Sequence, residues 1–160
     1  MALTEALNYL KEWAAIYVRH RDSATKKIAE IKNAGFGFAI VNNDGTPTNC
    51  IVQPSLEGFN PDAEEIQDNA LIVTLNNDKN IQAVYKVWGK LAAKKALMIL
   101  FVNPFSGIEE KWVLKPHLHN LVCDRNSLLQ GLRSMAELVE PIDEETMAAH
   151  IKTQVKPTTD

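Results

Sequence analysis

Apolar positions in the first part of the chain recur at steps of four and three: Leu3, Leu7, Leu10, Ala14, Tyr17, Ala24, Ile28 and Ile31, with Arg21 the only polar occupant of the stripe. Such spacing predicts a helix. Residues 1–33 are assigned to it, starting near Thr4 and stopped by Gly35, about 29 residues and about 44 Å at 1.5 Å per residue. Asp22 and Ser23 mark a competing break, as caps of a second helix from Ala24. Ala6, Trp13 and Ile16 widen the apolar face beyond what one small sheet covers. The expected interface is therefore Leu3, Leu7, Leu10, Trp13 and Tyr17, and the expected partner a second copy packed as a homodimer.

Beyond Gly35 the period changes. Phe36, Phe38 and Ile40 alternate with Gly37, Ala39 and Val41 up to the turn Asn42-Asn43-Asp44-Gly45, and Cys50, Ile51 and Val52 start a second run. This predicts a hairpin. Pro54 to Asn69 is an acidic loop carrying Glu57, Asp62, Glu64, Glu65 and Asp68, with at most one helical turn. Ala70–Leu75 is an apolar strand, Asn80–Lys95 a helix with Trp88 among its inward residues, and Ala96–Val102 another apolar strand, together a parallel βαβ unit. Lys111–Leu114 and Leu118–Val122 read as one strand or a bent pair divided at Pro116. Asp124 or Asn126 caps a helix carrying Leu128, Leu132, Met135 and Val139, which Pro141 stops.

The pattern predicts one α/β domain over 1–152. Residues 1–33 form the long helix and 35–142 the sheet core with its covering helices. Asp143 to Lys152 forms a short helix, and 153–160 a disordered tail. The architecture expected is a three-layer mixed sheet of about five strands with a parallel βαβ core, a long N-terminal helix and a C-terminal helix. The order of elements also suits a restriction-endonuclease-like α/β core.

Composition narrows the class. The 160 residues are 46% apolar and 23% charged, with net charge −3. These are values of a globular domain, not of a disordered or disulfide-built chain. No apolar run approaches the roughly 20 residues of a membrane span, the first ten residues lack a secretory pattern, and two distant cysteines, Cys50 and Cys123, suit reduced thiols. A cytoplasmic protein engaging no membrane is expected.

Candidate chemistry is sparse. Ligands of open α/β sheets gather beyond the carboxyl ends of parallel strands, here Asn76, Asn77, Asp78, Asn103 and Ser106. His117 and His119, two apart on an expected strand, would point to one side as metal ligands do. Glu109, Glu110 and Lys111 carry the carboxylate-x-lysine spacing of metal-dependent nucleases. In the endonuclease plan, however, that motif sits before the crossover helix, where this chain reads Val73-Thr74-Leu75-Asn76. Lys86, Lys90 and Lys94 form a four-residue-spaced cationic stripe able to track phosphates, while the net negative charge disfavours nucleic acid. No phosphate loop or dinucleotide fingerprint occurs. The expectation is a non-catalytic binding or assembly protein acting as a homo-oligomer without cofactor. The alternative is a metal-dependent hydrolase or nuclease-like protein using a divalent metal.

Overall fold

The computed structural model describes residues 2–34, 37–62 and 66–155. Helix α1 (Ala2–Asp22) leads into a hairpin of strands β1 (Ile28–Ala34) and β2 (Gly37–Asn42), followed by β3 (Pro47–Val52) and β4 (Leu71–Leu75). Helices α2 (Asp78–Lys86) and α3 (Trp88–Ala92) precede β5 (Met98–Val102) and β6 (Lys111–Leu114). Helices α4 (Pro116–Val122), α5 (Leu128–Ala136) and α6 (Glu144–Val155) complete the chain. The six strands form one mixed sheet in sequence order. The pairs β3–β4 and β4–β5 are parallel; the other neighbours are antiparallel.

Alternation along the central strands divides the core into two clusters. Ile51, Ile72, Ile99 and Phe101 join Trp88, Leu91, Trp112, Leu128 and Leu132 in one. Cys50, Val52, Leu71, Val73, Leu100 and Val102 join Ala6, Leu10, Ala14, Val18 and Met147 in the other. Every residue of β4 is buried, as expected of a strand covered on both faces.

Four assignments are corrected. The first helix ends at Asp22, not near residue 33. The break falls where Asp22 and Ser23 signalled it, but a strand follows. The Asp22 carboxylate accepts from the backbone N–H of Lys27 at 2.8 Å and of Ile28, Lys26 takes a positive φ of 49°, and Ile28 and Ile31 enter β1. β-Branched residues favour that conformation. Gly35, the proposed stop, and Phe36 lie outside the described residues.

The helix expected over Asn80–Lys95 is two, broken at Val87, whose φ of −113° leaves the helical region. The segment 118–122 is helical, because Pro116 opens α4 at its first turn where a missing N–H costs nothing. Residues 153–155, assigned to the tail, end α6; 156–160 lie outside the described residues, as do Glu64 and Glu65. The described part of the Pro54–Asn69 loop contains no helix.

Candidate interaction groove at the sheet edge

The carboxyl ends of β4 and β5 hold the asparagines expected there, and the chain's own backbone occupies them. Asn76 donates from Nδ2 to the carbonyls of Ala136 at 3.1 Å and Val139 at 2.8 Å, and its Oδ1 accepts from Trp112 Nε1. Asn77 caps α2 by accepting from Asn80 N–H and donates to the Ile142 carbonyl. Asn103 donates to the Glu140 carbonyl and accepts from Phe105 N–H. Asn80 bonds Leu56, Pro54 and Leu75. These side chains clasp the 136–142 connection and the 54–56 loop to the strand ends.

A hollow of about 410 Å³ remains beside them. Asp78 faces Arg133 across it in a two-bond pair, at 2.7 and 3.0 Å. The Ser106 hydroxyl serves its own turn by accepting from Ile108 N–H.

The acid and histidine candidates go to different neighbours. Glu110 accepts from Trp13 Nε1 on α1 at 3.1 Å. Glu109 pairs with Lys111 at 3.8 Å, and the Lys111 ammonium lies 5.5 Å from the Tyr17 ring centre. His117 and His119 stand on a helix, not a strand, so at a spacing of two they point apart. His117 Nδ1 lies 2.9 Å from the Ala92 carbonyl, and His119 meets the edge of Trp88 with ring centres 5.7 Å apart. Among the described residues no three histidine, cysteine or carboxylate groups gather as a metal would need.

The lysine stripe is divided by the break at Val87. Lys90 pairs with Asp62 at 2.7 Å and Lys94 donates to the Ile66 carbonyl, leaving Lys86 exposed.

The apolar face of α1 is largely spent within the chain. Ala6, Leu10 and Ala14 are fully buried, whereas Ile16 is 67% exposed. Leu7, Tyr9, Trp13 and Tyr17 pack against the same cluster, with Trp13 and Tyr17 stacked at 5.5 Å and Tyr9 stacked on Phe105. Leu3 belongs to α1, but its side chain is outside the described residues.

Exposed apolar surface concentrates elsewhere. Leu118, Leu121 and Val122 of α4 are 54%, 68% and 87% exposed. With Met135 of α5 they form one wall of a groove; Tyr17 and Arg21 of α1 form the other, and Val113, Leu114 and Lys115 the floor. That floor is the outer edge of the sheet, because β6 pairs only with β5.

The register fixes which groups face outward. Asn103 N–H donates to the Glu110 carbonyl, and pairing continues as Phe101 with Trp112 and Ile99 with Leu114. Antiparallel alternation then turns the N–H and C=O of Lys111 and Val113 away from β5. An apolar wall beside an unpaired strand was not predicted. Its one signal in the sequence is the Leu118, Leu121, Val122 spacing once Pro116 is taken as a helix start.

Comparison with family models, with curated proteins and with solved structures gives no match. The functional reading therefore rests on this chain's own residues. No helix among the described residues is long and apolar enough to cross a membrane.

Proposed function

We propose that the protein is a non-catalytic binding or assembly protein that docks a partner along the β6 edge. One observation carries this reading: exposed Leu118, Leu121 and Val122 border a strand whose outer backbone groups have no sheet partner. Exposed edges invite another strand, and a neighbouring apolar wall adds affinity and side-chain selection to the backbone bonds. The architecture is read as three layers around a βαβ core, supported by the two apolar clusters and the parallel β4–β5 pair. Free Cys50 and Cys123 support a reducing, cytoplasmic setting.

The test is selection of extended peptides from a displayed library against the full chain. Selected peptides are expected to lose about tenfold or more in affinity, about 1.4 kcal/mol, for Leu121→Asp and for Val113→Pro, with melting temperatures kept near the parent's. Peptides indifferent to both substitutions would contradict the proposal.

A further inference from the structure

The groove does not end at Leu118. Arg21, Met98, Lys115 and Leu118 also line a second hollow, of about 570 Å³, at the opening ends of β4 and β5. Its rim carries Arg21, Lys27, Lys95 and Lys115, against one carboxylate, Asp22. All four cations are exposed, and none has an ion pair among the described residues. The Asp22 carboxylate is already bonded to Lys27 N–H, Ile28 N–H and Thr25 Oγ1. The floor is apolar, formed by Val18, Ile40, Leu71 and Leu97.

Charge decides between the two simplest occupants. A second copy pairing β6 antiparallel about Val113 would set Lys111 opposite Lys115 of the other chain at each end of the pair. Like charges directly opposite destabilise a strand pair. A segment carrying carboxylates meets the opposite situation: its backbone pairs with Lys111 and Val113, alternate apolar side chains reach Leu121 and Val122, and its acidic groups face a rim whose cations have no ion pair among the described residues.

We infer that the groove takes an extended acidic segment of another protein, with apolar and carboxylate side chains alternating, and that Arg21 and Lys115 select for the acid. This rests on the docking reading above and adds the partner's chemistry.

Fluorescence anisotropy on the full chain, with labelled strand-length peptides alternating valine with glutamate, glutamine or lysine, tests it. The glutamate peptide is expected to bind tightest. It should weaken about tenfold or more between about 50 and about 200 mM salt, because exposed charge pairs are screened over this range. It should weaken similarly on Arg21→Glu with Lys115→Glu, while Leu121→Asp weakens all three peptides. Equal binding of the glutamate and glutamine peptides, insensitive to salt and to the double reversal, would overturn the inference and leave the groove reading intact. Absence of binding by all three, or binding that ignores Leu121→Asp, would remove both. A reversible dimer in sedimentation that Val113→Pro abolishes would assign the edge to a second copy and overturn the acidic partner.

Discussion

Trp112 on β6 donates its indole N–H to the Oδ1 of Asn76, just past the end of β4, at 2.8 Å. The two side chains meet behind β5 with only 3% and 1% of their surfaces exposed. An amide buried this deeply must satisfy both its donors and its acceptor, and Asn76 does so with Trp112, Ala136 and Val139. The place where an open sheet would hold a ligand is thereby committed to holding the chain together.

Asn76→Ala leaves the Trp112 N–H and the Val139 carbonyl without partners, while the Ala136 carbonyl keeps the Val139 N–H. At about 1–3 kcal/mol for each of the two orphaned groups, with some relaxation, the loss should be roughly 2–4 kcal/mol by urea denaturation. Trp112→Phe removes one bond of the set and should cost less. A cost for Asn76→Ala under about 1 kcal/mol, within the range of ordinary surface changes, would mean the clasp does not hold the 136–142 connection.

Gly37 of β2 pairs with Ile51 of β3 at a φ of +151°, and a Cβ there would run into the Cys50 carbonyl oxygen. Gly37→Ala should therefore destabilise by about 2 kcal/mol or more, since backbone cannot yield as a side-chain tip does. Gly89, where a Cβ meets nothing, serves as the control: Gly89→Ala in α3 should be neutral or slightly stabilising.

Bonds from Arg133 first, and from Gln82 second, hold the Asp78 carboxyl below its ordinary value. A lowered carboxylate pKa contributes stability above the ordinary value, and that contribution disappears as pH falls through the lowered one. Because the pair is exposed, Asp78→Asn should cost no more than about 1 kcal/mol at neutral pH and nothing in strong acid. A cost independent of pH would contradict the charge pairing.

Glu144 has the opposite sign. Burial first, then Asp143 and Glu57 beside it, raise its carboxyl above the ordinary value. The folded chain is then penalised for holding it ionised above that value, so Glu144→Gln should raise the melting temperature near neutral pH, and the gain should vanish in acid. A lowered melting temperature at neutral pH would show that the charge stabilises α6 instead.

The central strands and their order of appearance were legible because unbroken apolar runs such as Leu71–Leu75 admit few other placements. The first helix was overextended for a physical reason. Ile28 and Ile31 continue the three-four spacing of the stripe, and what separates helix from strand is a local turn, with the Asp22 carboxylate bonding forward across it and Lys26 at positive φ. His117 and His119 fall on a helix because Pro116, which in the sequence pattern looks like a strand breaker, opens α4. That same look conceals Leu118, Leu121 and Val122 as one exposed face. The lysine spacing was visible, but the loop residues Asp62 and Ile66 that engage Lys90 and Lys94 are distant in sequence and give no local sign.

Amide hydrogen exchange at Val113, followed in the full chain with and without the alternating valine–glutamate peptide, tests the docking account most directly. Unpaired edge amides exchange fast and paired ones slowly. The account predicts rapid exchange of Val113 N–H in the free chain and strong slowing of Val113 and Lys111 when the peptide is bound. Slow exchange at Val113 in a free monomer, or a peptide complex that slows amides elsewhere and leaves this strand unchanged, would contradict it.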